Sequence, residues 1–138
     1  AAPAQPLASD GKEAARGPHR RGTALLVDDE EAVRHATAHM LEEAGFSVIE
    51  ASSGSAALAL LGEHPEIGVL VTDHLMPGMD GTQLVRRAHQ IRADLPCLII
   101  SGYADVEGVA PDLPRLTKPF RAQELIDALA LAITASTN

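Results

Sequence analysis

The chain reads as an α/β fold, a doubly wound parallel sheet of five strands with helices on both faces. Three observations predict it. Short apolar runs recur, and most are followed by a stretch with helical periodicity. The runs are continuous, as in strands buried on both faces. Several of them also stop abruptly at a polar residue, at Asp28, Asp73, Ser101 and Lys118, as strands do where a parallel sheet opens onto a crevice.

Residues 1–22 stand apart as a flexible linker or tail, because Ala, Pro and Gly dominate them and apolar periodicity is absent. The chain opens on Ala1, as after loss of an initiator Met or in a piece cut from something longer. The domain is expected over residues 23–135, with a short tail at 136–138. Residues 24–27 form the first strand. Residues 30–44 form the first helix, with Val33, Ala36, Thr37, Met40, Leu41 and Ala44 on one face and Gly45 as a natural stop. Residues 46–50 form the second strand. Ser53 or Ser55 can cap a second helix carrying Ala57, Leu58 and Leu61 inward. Residues 67–72 form the third strand. Asp80 or Thr82 can cap a third helix with Leu84, Val85, Ala88 and Ile91 inward. Residues 96–100 form the fourth strand. Pro111 and Pro114 then leave room for at most a turn or two of helix between Asp105 and Ala110. Residues 115–117 form the fifth strand, and a final helix after Pro119 turns Leu125, Leu129, Ala132 and Ile133 inward.

Composition narrows the function. With 138 residues, 46% of them hydrophobic, there is enough chain for one core and too little for two domains. Aromatics are only 2% and the net charge is -8, which argues against base stacking and against non-specific binding to nucleic acid or anionic membrane. Cys97 is the only cysteine, so no internal disulfide exists, and its apolar neighbours make it a core residue. No apolar stretch is long enough to span a bilayer and no signal-peptide pattern opens the chain. A cytoplasmic location is therefore expected, with the parent protein free to be membrane-associated.

Four strand ends define the candidate site. Asp28 and Asp29 follow the first strand and Asp73 ends the third. If these strands are neighbours, three carboxylates converge, and their mutual repulsion calls for a hard cation such as Mg2+. A carboxylate beside such an ion can act as a nucleophile. Ser101 adds a hydroxyl and Lys118 an ammonium group. A nucleophilic aspartate, a metal, a hydroxyl and an ammonium together suit a phosphoryl group, since each donor neutralises one of its oxygens.

The segments Leu26-Val27-Asp28-Asp29-Glu30, Thr72-Asp73-His74-Leu75-Met76-Pro77-Gly78-Met79-Asp80-Gly81, Ser101-Gly102 and Lys118-Pro119-Phe120 resemble a response-regulator receiver domain, over about Thr23 to Ile133. The resemblance implies a flavodoxin-like sheet with strand order 2-1-3-4-5. It implies that Asp73 accepts a phosphoryl group from the phosphohistidine of a histidine kinase or histidine phosphotransfer domain. Asp29 and Asp73 would touch Mg2+ directly, Asp28 would hold it through water, and the backbone carbonyl of Leu75 would complete the protein ligands. Ser101 and Lys118 would hold the phosphoryl oxygens, and Lys118-Pro119 resembles the family's cis bond. Asp80-Gly81 reads as a structural turn and cap. The chemistry would be confined to the domain's own phosphorylation and dephosphorylation. Leu75, two after the acceptor, and Tyr103, two after Ser101, would flank the path of hydrolytic water.

Three positions depart from the family pattern. Arg115 replaces the usual switch Tyr or Phe, Arg121 occupies a helix-cap position that favours Ser or Thr, and the helix before the fifth strand is curtailed. A monomer is therefore expected. Ser101-Gly102-Tyr103-Ala104-Asp105 and Gly22 to Glu31 look like the receivers at the C-terminal end of hybrid sensor histidine kinases. The alternatives are a free-standing single-domain regulator and a Mg2+-dependent phosphohydrolase with an aspartyl nucleophile. The latter needs an acid/base carboxylate two residues after the nucleophile, where Leu75 stands, and a cap insertion for which there is no room. A degenerate receiver used only for docking would not need the intact five-residue set.

Overall fold

Five strands in the order β2-β1-β3-β4-β5, all parallel, form the sheet of the computed structural model, which describes residues 21–102 and 112–136. They are β1 (Gly22–Val27), β2 (Phe46–Ala51), β3 (Ile67–Asp73), β4 (Cys97–Ser101) and β5 (Arg115–Thr117). The helices are α1 (Glu31–Glu43), α2 (Gly54–Glu63), α3 (Gly81–Ile91) and α4 (Ala122–Ser136). The doubly wound architecture and its strand order are those expected. The short helix expected at 105–110 lies outside the described residues, as do Tyr103, most of the linker and the last two residues. β1 begins at Gly22, inside the expected linker, because Arg21 already bonds to the β2 side through its N–H to the Gly45 carbonyl. α4 runs to Ser136, one residue into the expected tail.

Side chains of the inner strands alternate between two cores. Leu25, Val27, Leu70 and Ile99 face one way, toward Leu61 of α2 and Leu84, Val85 and Ala88 of α3. Ala24, Leu26, Val69, Val71, Leu98 and Ile100 face the other way, toward Leu41 of α1 and Leu125 and Leu129 of α4. Each fully buried Leu or Ile contributes about 1.5–3 kcal/mol relative to an exposed one. Cys97 is buried among these residues, and burial pushes its thiol up to about 12, so it stays a neutral core group. The inward face of α1 differs from expectation. Thr37, Ala38 and Leu41 are buried, whereas Ala36 is exposed and Val33 and Met40 are half-buried, because they line a groove rather than the core.

The helix starts show how sequence fixes the loops at the carboxyl edge. Ser53, of the two candidates, caps α2 by accepting from the Ala56 N–H. Asp80, of the other two, caps α3 in a full capping box with Gln83. Arg121 makes no side-chain cap for α4; instead Glu124 reaches back to accept from the Arg121 N–H at 2.7 Å. In this sheet the chain reverses its direction of winding between β1 and β3. The crevice therefore opens at the ends of these two strands.

Candidate functional site

β1 and β3 pair side by side, with Val27 opposite Thr72, so the residues that follow Val27 and the one that ends β3 share one edge. Asp28, Asp29 and Asp73 each bring a carboxylate oxygen there, all lying within 4.8 Å of one another. Asp28 is 5% exposed, Asp29 is exposed, and the Asp73 side chain is 11% exposed. Asp28 does not cap α1 with its side chain in the usual way: the N-cap is Glu30, and Asp28 Oδ1 accepts from the Glu30 N–H at 2.9 Å. The Asp28 N–H donates in turn to the Ala51 carbonyl at the end of β2.

β5 supplies the cation. The Lys118-Pro119 bond is cis, the Lys118 N–H donates to the Ser101 carbonyl at 2.8 Å, and Lys118 Nζ lies 3.0 Å from Asp73 Oδ1. Ser101 ends β4, next to β3 in the sheet, and is wholly buried with an Oγ that has no hydrogen-bond partner among the described residues. A buried hydroxyl left without a partner costs stability, so a native protein that keeps one has a use for it. The structure thus brings Asp28, Asp29, Asp73 and Lys118 together, with Ser101 at the adjoining strand end. Leu75 follows on the loop with its side chain 60% exposed. His74, beside Asp73, is buried with its backbone tied to Ile100 and Gly81.

The electrostatics follow from this packing. Burial raises the Asp73 pKa above its ordinary 3.8, and the charges of Asp28 and Asp29 add to the rise. The hydrogen bond and charge of Lys118 oppose it without winning. Burial alone would lower the Lys118 pKa, but the hydrogen bond and charge of Asp73, helped by Asp28 and Glu30, outweigh that and hold it above 10.5. The ion pair therefore stabilises both charges, yet the carboxylate cluster as a whole remains short of positive charge. Its donors are hard oxygens, which suit Mg2+ better than a softer transition metal.

The backbone that carries Asp73 is seated tightly. The Gly81 N–H donates to the His74 carbonyl at 2.7 Å. A Cβ on Gly81 would lie 2.7 Å from the Asp73 carbonyl oxygen and 3.0 Å from His74 Cα. Beside the carboxylates, α1 and the β5–α4 junction form a groove of about 460 Å³, lined by Val33, Ala36, Met40, Pro119 and Phe120 and also by Asp73 and Lys118. Sequence reasoning missed Arg34, whose guanidinium reaches both the Asp28 carbonyl and Glu50. A cation in the first turn of a helix runs against the helix dipole, and that was the available signal.

Comparison with known proteins agrees with this geometry. Residues 24–130 match the family described as response regulator receiver domain. The sensor kinase CckA of Brucella abortus is 36% identical over 129 residues, covering 87% of this chain but 14% of the kinase. The response regulator receiver protein CpdR of the same organism is 36% identical over 117 residues, covering 81% of this chain and 97% of that protein. Among solved structures, the receiver domain of the hybrid histidine kinase CckA superposes with a TM-score of 0.68 at 32% identity, covering 81% of this chain and 99% of that one. A receiver domain protein from Clostridium thermocellum superposes at 0.76 with 28% identity, covering 83% of this chain and 96% of that one. A continuous match across the sheet and helices, with the acidic cluster at the expected edge, places the chain in the response regulator receiver domain family of two-component signal transduction.

Proposed function

We propose that the domain takes a phosphoryl group from a phosphohistidine onto Asp73. The observation that carries the reading is Lys118 Nζ placed 3.0 Å from Asp73 Oδ1 inside a cluster of three carboxylates. Asp29 and Asp73, with Asp28 and the Leu75 backbone carbonyl, are the residues that would hold Mg2+. When bound, the ion would neutralise the carboxylates and the phosphoryl oxygens. An Asp73 carboxylate oxygen forms the new O–P bond as the P–N bond to histidine breaks and the nitrogen keeps the bonding pair. Lys118 turns from the carboxylate to a phosphoryl oxygen, and the free Ser101 hydroxyl donates to another. Asp73 is among the residues that line the apolar groove along α1, so a helix of the donor laid in it would bring its phosphohistidine near the acceptor.

The test is incubation of the chain with acetyl phosphate, with and without Mg2+, read by intact mass. One added phosphoryl group that requires Mg2+ and disappears in Asp73→Asn supports the reading, because an amide is a poor nucleophile. Full labelling of Asp73→Asn would move the acceptor elsewhere.

The context we propose is the C-terminal receiver of a hybrid sensor histidine kinase, supported by the likeness to CckA in sequence and structure. The match to nearly the full length of CpdR favours the alternative, a free-standing regulator that acts by binding partners. An antibody to this chain, used on native extracts, separates the two by the size of the protein it detects. Among the described residues no helix is long and apolar enough to cross a membrane. We propose a cytoplasmic domain that does not contact nucleic acid itself. Arg115 stands exposed on β5 with a permanent charge, which disfavours its burial in the manner of a switch aromatic. A monomer is expected in sedimentation with a beryllofluoride mimic, and a tight dimer through the β5 face would contradict this.

A further inference from the structure

We infer that Arg34 is a positioning residue for metal binding: it fixes the Asp28–Asp29 peptide and so aims the Asp29 carboxylate. The inference rests on the Mg2+ reading above. Arg34 is the fourth residue of α1, and its side chain is only 13% exposed although it carries a full charge. Its Nη1 donates to the Asp28 carbonyl at 2.8 Å and its Nε to Glu50 Oε1 at 2.8 Å. Glu50 stands on β2, one residue before Ala51, whose carbonyl accepts from the Asp28 N–H. The end of β2 therefore holds the acidic loop twice, once directly and once through Arg34.

The consequence for Asp29 follows from peptide geometry. The Asp28 carbonyl and the Asp29 N–H share one rigid plane. Holding the carbonyl fixes the direction in which Asp29 leaves β1. Asp29 is exposed, and rotation of that plane would turn its carboxylate away from Asp73. The Asp28 side chain ties down the next peptide plane, because Oδ1 accepts from the Glu30 N–H. Arg34 bonds a carbonyl and Glu50, so it leaves the clustered carboxylate oxygens free for an ion. It also occupies the start of a helix, where a cation is disfavoured, and this requires a specific compensating role.

Two other roles for Arg34 give different signs. If it acted only as a nearby positive charge, removing it would tighten binding of a cation. If it only stapled α1 to β2, stability would fall with no change in metal affinity. Positioning predicts that Arg34→Met weakens Mg2+ binding about tenfold, or ~1.4 kcal/mol. Calorimetric titration of the full chain with Mg2+, well below the melting temperature of each variant, reads this. Arg34→Lys keeps the charge but cannot bridge both partners, so its affinity should fall between the two. Glu50→Gln, which keeps an acceptor for Nε, should weaken binding less than Arg34→Met does. In the metal-free protein, exchange of the Glu30 amide hydrogen should quicken in Arg34→Met while that of Gln83, in the α3 capping box, stays the same. Unchanged or tighter Mg2+ binding in Arg34→Met overturns the inference, and so does wild-type affinity in Arg34→Lys. A wild-type chain that binds no Mg2+ overturns the proposed function instead, and the Glu30 exchange then decides whether Arg34 holds the loop.

Discussion

Gly81→Ala tests how closely the backbone that carries Asp73 is seated. Alanine is favoured over glycine by about 1 kcal/mol inside a helix, so propensity alone predicts a gain at this first residue of α3. The structure predicts a loss. The new Cβ would stand 2.7 Å from the Asp73 carbonyl oxygen and 3.0 Å from His74 Cα, and neither is the end of a flexible side chain. Overpacking of that kind costs roughly 1–3 kcal/mol, so the net loss should be up to about 2 kcal/mol after the propensity gain. For a domain of this size that lowers Tm by up to roughly 10 °C. The backbone that must move carries Asp73, so phosphorylation by acetyl phosphate should slow as well. Gly62→Ala is the matched control: it lies on an exposed part of α2 with nothing within 4 Å of a built Cβ, and should hold or raise Tm. Thermal melts of the two variants side by side decide the matter. A Gly81→Ala protein that melts at or above wild type would show that the seating is loose and the reasoning wrong.

Asp73→Asn should raise the stability of the metal-free protein at neutral pH. The folded pKa of Asp73 is raised, so its favourable contribution is fully present below the ordinary 3.8 and is lost as pH rises through the folded value; the variant should lack that loss in melts taken across acidic pH. Ser101→Ala should raise the stability of the metal-free protein by about 1 kcal/mol, because it removes a buried Oγ that has no partner among the described residues. The same change should slow phosphorylation about tenfold, or ~1.4 kcal/mol in barrier, and equal rates would remove Ser101 from the chemistry. Leu75 can neither orient nor activate water, so with Tyr103 it is expected to shield a phosphoryl group on Asp73. Replacing Leu75 by Asn together with Tyr103 by Glu should speed phosphate loss about tenfold, and a decay that stays the same or slows would refute shielding.

The sheet was legible because its inner strands are continuous aliphatic runs that end at polar residues. Asp28, Asp73, Ser101 and Lys118 each punctuate a strand, and the topology brings those punctuation marks to one edge. The Asp80-Gly81 turn was legible for the same local reason, a cap followed by a residue without Cβ. Less was visible where a residue's role depends on something distant in sequence. The outward turn of Ala36 follows from a groove closed by Pro119 and Phe120, far along the chain. Arg34 and Glu50 are an unremarkable helix cation and strand anion until folding sets them 2.8 Å apart. The choice between Ser53 and Ser55, or between Asp80 and Thr82, needed the position of the helix axis, which packing rather than propensity decides.

Phosphoryl transfer from a histidine-phosphorylated kinase domain to the wild-type chain in Mg2+ is the decisive measurement, with the acyl phosphate trapped by borohydride reduction and the modified residue mapped by mass spectrometry. The structure predicts a single modified residue, Asp73, with no labelling once Mg2+ is chelated. Stoichiometric modification at any other residue, or undiminished transfer without Mg2+, would contradict it.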